Sequence, residues 1–246
     1  MKKKKIEFLF PELCIIFAES YNLEYLCKCS DNIEIVETRV AEEPAFIKGG
    51  IDMVYIGCMT ENGQEKAAAA LLKYKKEIEK AIEAGQMFLF TGNAIELLGT
   101  HILCVGEPDE TGADKKIECL GLFNTYAERR INDERHNSQF VGKFDDGGEG
   151  IVMVGHKSQF SFSYGDTDAE PMLVLEKGVG MNKNTMCEGL RRNNLYATYS
   201  LGPVLVQNPY FTQYLLGKLG LGKELCFGKE AIESYEYRLS ELRRTL

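Results

Sequence analysis

Residues 86–99, QMFLFTGNAIELLG, run from an apolar strand into a tight turn at Thr91-Gly92-Asn93 and out into a helical stretch. That is the layout of a nucleophile elbow, a strained turn from which a Cys or Ser attacks a carbonyl or amide carbon. Such an attack needs a thiol or hydroxyl at the tip and a base to take its proton. The tip here is Gly92, which has no side chain. Glycine holds the turn without a Cβ penalty and Asn93 tolerates left-handed angles, so the turn can outlive its reactive group. Two other residues could attack: Thr91, one place before the tip, and Cys58, which follows a buried strand and could use His156 as its base. Each also has an ordinary structural reading, Thr91 as a strand end and Cys58 as an inert buried thiol. Lys157 and Ser158 could line a small-molecule pocket or simply close a strand. His101 and His136 lack ligand-like neighbours in sequence. Cys27-Lys-Cys29 has no second cysteine pair, and the acidic stretch GEPDETGADKK (106–116) lacks a cation-loop pattern, so it reads as an exposed loop. Neither a metal nor a cofactor is expected.

The elements that must position these residues alternate. Strand-like KIEFLF precedes a helical stretch over 18–29, and NIEIVET and IDMVYIG follow as strands. IDMVYIG is apolar enough to be buried on both faces. GQEKAAAALLKYKKEIEKAIEAG reads as one long helix stopped by Gly85. The strand QMFLFTG then feeds the elbow. This order predicts an α/β fold with a mainly parallel, doubly wound sheet, whose sites lie at the C-terminal strand ends. The second half is richer in strand: LGLFNTY, SQFVGKF, IVMVGHK, FSFSYG, MLVLEKG and LYATYSLG, with Gly178 and Gly180 as turn formers. Helix returns over 208–219. A last helix over 229–246 carries Ile232, Tyr235, Leu239, Leu242 and Leu246 at helical spacing, a stripe that packs on the domain or on a partner. No linker or repeat interrupts residues 1–246, which read as a single domain.

Composition narrows the function classes. A net charge of −8 argues against nucleic acid as partner. No apolar run approaches the ~20 residues of a membrane span. The Lys2–Lys5 run reads as the solvated start of the first strand, and the charged, Pro-containing IEFLFPELCIIF argues against a secretory signal. Eight scattered cysteines read as reduced, cytosolic thiols.

In their order, several stretches resemble class I (triad) glutamine amidotransferases of the cobyric acid synthase type, and among them the glutaminase subunits of bacterial lipid II isoglutaminyl synthases. These are LFPELCIIFAESYNLEYL, IDMVYIG with TENGQEKA and Gln64 starting its helix, FTGNAIELLG, LGLFNTYAERR, KGVGMNKN, and CEGLRRNNLYATYSLGPVLVQNP. The resemblance spans about Ile6 to Leu219, and its last stretch is the most specific. It implies the amidotransferase fold, a ligase-like large subunit as partner, and glutamine or another small amide as the molecule handled.

The departures bear on activity. The family's elbow reads Cys-Gly-Gly-aromatic-Gln, two residues, then Gly. Counting back from Gly99 places Gly92 at the nucleophile and Asn93-Ala94 at the two glycines. The family has His before Gly-Pro, where this chain has Leu201. Its glycine-rich oxyanion loop corresponds to Gly57-Cys58-Met59, and its Glu-Asn-His or Glu-Ser-His stretch to Gly155-His156-Lys157-Ser158. The resemblance therefore implies a vestigial pocket around Gly57, Cys58, Thr91, Gly92, Asn93, His156, Lys157, Ser158 and Leu201, without catalytic residues. The expected function is a binding or scaffolding subunit of an amidating complex, in cell-wall or cobalamin synthesis. The alternative is an amidohydrolase with a relocated nucleophile, Cys58 or Thr91.

Overall fold

A computed structural model describes residues 3–133 and 135–246. The first half contains β1 (Lys4–Leu9), α1 (Ser20–Cys29), β2 (Ile33–Thr38), β3 (Met53–Ile56), α2 (Glu61–Leu72), α3 (Lys75–Glu83) and β4 (Met87–Thr91). Then come β5 (His101–Pro108), β6 (Asp114–Glu118), β7 (Thr125–Arg129), β8 (His136–Phe144), β9 (Ile151–Gln159), β10 (Ser161–Gly165) and β11 (Leu173–Lys177). The chain ends with β12 (Cys187–Glu188), β13 (Leu190–Arg192), β14 (Leu195–Thr198), α4 (Val204–Gln207), α5 (Pro209–Lys218) and α6 (Gly228–Thr245).

The central sheet has the order β13-β14-β4-β3-β1-β2. All its pairings are parallel except that of the edge strand β13 with β14. Every residue of β3, MVYI, and of β4, MFLFT, is buried, as an apolar run covered on both faces requires. The predicted α/β class and mainly parallel sheet hold. Two further four-stranded sheets, β10-β7-β5-β6 and β12-β11-β8-β9, form the strand-rich half.

Local chemistry explains where the elements depart from the pattern. The long helix over 63–85 is instead α2 and α3, broken at Tyr74 (φ −117°, ψ 19°), whose ring packs on the core. Helix α2 begins at Glu61, before Gln64, because the Thr60 hydroxyl caps it, accepting the Gly63 N–H at 3.2 Å. Gly85 ends α3 at φ +82°, as its type suggests. Residues 106–116 are not a loop: most belong to the antiparallel pair β5 and β6. The alternation of exposed charge along Asp114–Glu118 disguised that edge strand. The elbow continues as a tight 3-10 turn, Gly92–Leu98, rather than an α-helix. It stops at Gly99, where a Cβ would lie 2.7 Å from the Thr125 carbonyl oxygen.

At the ends of the chain, the visible part of the lysine run is held by carboxylates, Lys4 to Asp52 at 2.9 Å and Lys5 to Glu34 at 3.4 Å; Lys2 lies outside the described residues. Helix α6 lays Tyr235, Leu239 and Leu242 against Val141 of β8 and Val154 of β9. Ile232 is only half-buried and Leu246 stays exposed. No helix among the described residues is long and apolar enough to cross a membrane.

Candidate functional site

Three neighbouring parallel strands, β3, β4 and β14, deliver the site. Their register aligns Ile56 with Phe90 and Thr198 with Thr91, so their C-terminal ends finish side by side. The loop Gly57-Cys58-Met59 leaves β3, Gly92-Asn93 leaves β4, and Tyr199-Ser200-Leu201 leaves β14. This is where ligands bind in open α/β sheets. A larger groove of about 860 Å³, lined by Lys4, Asp52 and Gln86, lies at the opposite, N-terminal ends of the strands.

Gly92 keeps the left-handed elbow geometry, with φ +61°. A Cβ built on it would stand 2.5 Å from the Cys58 Cβ, 2.8 Å from the Cys58 sulfur and 2.9 Å from Leu201 Cδ2. Real Cβ atoms do not approach so closely. The space beside the elbow tip is therefore filled, by a thiol from the β3 loop and an isobutyl group from the β14 loop.

A backbone donor beside that space is engaged as well. Asn93 clasps the β3 loop: its Oδ1 accepts the Met59 N–H at 3.0 Å and its Nδ2 donates to the Met59 carbonyl at 2.8 Å. An oxyanion hole needs N–H groups aimed at vacant space; that of Met59 is taken by Asn93.

Thr91 is fully buried. Its hydroxyl donates to Glu19 Oε2 at 2.5 Å and lies 3.0 Å from the Tyr55 hydroxyl, which bonds the same carboxyl oxygen. Burial pushes the Glu19 carboxyl up, against the pull of these hydrogen bonds. Burial also pushes the Cys58 thiol well above the usual range, with Glu19, Cys14 and Glu96 adding to it. None of the groups acting on Cys58 is an imidazole.

A pocket of about 410 Å³ opens beside the elbow. Of the residues singled out in the sequence, Cys58, Asn93, Ser158 and Leu201 line it; Gly57, Thr91, Gly92, His156 and Lys157 do not. His156 contributes its carbonyl to the Leu201 N–H at 2.9 Å, while burial and Arg238 of α6 hold its imidazole low. Lys157 is fully buried away from the cavity. Its ammonium donates to the carbonyls of Val179 and Gly180 and lies 3.5 Å from Glu188. His101 stacks on Tyr126, and among the described residues no group of three His, Cys, Asp or Glu could hold a metal. All eight cysteines are unbridged.

The residues sequence reasoning missed form a polar wall. Glu96 accepts Gln64 Nε2 at 2.8 Å and the Tyr199 hydroxyl at 3.2 Å, and Gln64 also donates to the Asn93 carbonyl. Burial raises the Glu96 carboxyl to about 7, outweighing these hydrogen bonds and the Arg129 charge. Its signal was present: Glu96 stands where the elbow pattern has Gln.

Parallel strands ending in an elbow, with a pocket at their C-terminal edge, define the fold of the class I glutamine amidotransferases. Two solved structures share it at low identity: PurLQS from Thermotoga maritima (TM-score 0.56, 13% identity, 97% of this chain and 100% of that one) and a glutamine amidotransferase from the same organism (0.54, 11%, 98% and 94%). The chain belongs to the CobB/CobQ-like glutamine amidotransferase domain family, whose pattern it matches over residues 11–209. It is homologous to the GatD subunit of lipid II isoglutaminyl synthase (glutamine-hydrolyzing) of Staphylococcus aureus, at 28% identity over 82% of this chain and 78% of the relative. The GatD subunit of Streptococcus pneumoniae is 23% identical over 80% and 71%.

Proposed function

We propose that this chain is a non-hydrolysing, GatD-like subunit that binds or scaffolds a ligase-like partner in an amidating complex. The observation that carries this reading is the filled slot at Gly92, where Cys58 and Leu201 stand within 2.9 Å of any added Cβ. Hydrolysis of an amide needs a thiolate and a base in mutual reach. Leu201 cannot accept a proton, and the Met59 N–H beside the slot is already taken by Asn93. The partner follows from the relatives, both named as subunits of an isoglutaminyl synthase, which points to cell-wall rather than cobalamin chemistry. The test is glutamate release from glutamine, by the chain alone and with the ligase-like protein that co-purifies from the native cell. Co-purification without glutamate release is the expected result; robust turnover would overturn the reading.

One observation favours a second reading. The Cys58 sulfur, hung from the neighbouring strand, stands 2.8 Å from where a Cβ on residue 92 would lie. A thiol-directed glutamine analogue with mass mapping separates the two: selective labelling of Cys58 supports a relocated nucleophile, and sparing of Cys58 supports the scaffold. The raised thiol predicts sparing.

A further inference from the structure

A second groove, of about 670 Å³, adjoins the elbow pocket and shares Arg135, Gln159 and Phe160 with it. It is cationic in a chain whose net charge is −8. The Arg135 guanidinium lies over Phe160, 4.4 Å from the ring centroid, and the Lys183 ammonium lies 5.7 Å from the centroid of Phe162. The His136 ring packs on the same Phe162 at 4.9 Å. Among the described residues, neither Arg135 nor Lys183 reaches a carboxylate within ion-pair distance. Arg130 in the same wall is neutralised by Glu128 at 3.1 Å, and Asp133 is the one carboxylate among the described lining residues. Burial, and then the charges of Lys183 and Lys157, hold the His136 imidazole low.

An independent observation lies at the boundary of the two cavities. Gln159 is 9% exposed; its Nε2 donates to the Ser161 carbonyl, but its Oε1 is buried without a partner. An unpaired buried carbonyl costs about 1–3 kcal/mol, so it marks a place where an N–H or O–H from a ligand belongs.

We infer that this groove binds a small phosphate ester carrying a hydrogen-bond donor, its phosphate on Arg135, Lys183 and His136 and its donor on Gln159 Oε1. A guanidinium fork, an ammonium and an imidazole match the three outer oxygens of a phosphate monoester better than the two of a carboxylate. The aromatic faces are occupied in holding the cations, so the organic part of the ligand lies toward Gln159 and the elbow pocket. The inference does not depend on what happens at Gly92.

Isothermal titration of the full chain tests it, at about 50 mM salt and about pH 8, where phosphate esters are dianions. Glucose 1-phosphate carries both anion and donors; phenyl phosphate carries the anion alone. Glucose 1-phosphate is expected to bind with Kd below about 1 mM and to weaken as salt rises. R135Q/K183Q, at two exposed positions, should weaken both ligands by about tenfold or more. Q159L should weaken glucose 1-phosphate several-fold and leave phenyl phosphate within about twofold. ADP in a third titration separates a nucleotide from a sugar phosphate. No binding of glucose 1-phosphate or ADP at about 10 mM, or undiminished binding by a folded R135Q/K183Q chain, overturns the inference.

Discussion

The Cys58 Cβ stands 2.5 Å from the point a Cβ on Gly92 would occupy. The two positions, on loops from adjacent strands, are therefore mutually exclusive sites for a side chain. The overlap involves the root of Cys58 and not only its sulfur, so a rotamer change does not relieve it.

Gly92→Cys in the otherwise unchanged chain should lower stability by about 2–4 kcal/mol, from overpacking and from a non-glycine residue at φ +61°. Adding Cys58→Gly removes the overlap with residue 58 and leaves only the contact with the flexible end of Leu201. A double-mutant cycle by urea unfolding should then give a favourable coupling of about 1 kcal/mol or more. Simple additivity would count against the shared slot.

Glu96 supplies a pH dependence. Its carboxyl is raised from 4.5 to about 7 by burial. The folded chain thus holds this proton more tightly than the unfolded one. The stabilising contribution is complete below about pH 4.5 and is lost as pH rises through about 7. The stability of the unchanged chain minus that of Glu96→Gln should fall by about 3 kcal/mol between those limits. Parallel stability profiles across pH 4–8 would disprove a raised Glu96.

Lys157 and Glu188 are both fully buried, and Glu188 also accepts the Thr198 hydroxyl and the Tyr199 N–H. Lys157→Met strands a buried carboxylate and the carbonyls of Val179 and Gly180. It should cost about 3–5 kcal/mol in chemical denaturation, and Glu188→Gln on top of it should recover part of the loss. A cost under about 1 kcal/mol would place Lys157 outside the core.

The docking of α6 on the β8–β9 strands predicts that Leu239→Ala costs about 2–4 kcal/mol. Tyr235→Phe, which loses a 2.7 Å hydrogen bond to the Val152 carbonyl, should cost about 1 kcal/mol. A neutral Leu239→Ala would mean that this stripe serves a partner instead.

Much of the frame was legible because it rests on local patterns. The apolar runs of β3 and β4, the elbow after β4 and the stripe of α6 are written in adjacent residues. The register that puts Gly92 and Leu201 at the elbow and beside Gly-Pro also needed only counting. What stayed hidden depends on neighbours distant in sequence. Cys58 meets Gly92 across 34 residues, and Asn93 clasps Met59 over the same gap. Lys157 reads as a strand-end cation until Glu188 is seen behind it. The hairpin of β5 and β6 was masked by the charges on its outer face, and Tyr74 broke a helix whose propensity alone would have continued it.

Gly99 carries a broader consequence. It lacks a side chain because the Thr125 carbonyl is 2.7 Å from where one would start. Steric fit alone is enough to preserve that letter of the signature, whatever becomes of turnover. A motif search that weighs Gly99 therefore reports the fold and is silent on turnover. The position that bears on turnover is Gly92, where Cys58 and Leu201 crowd the place of a side chain.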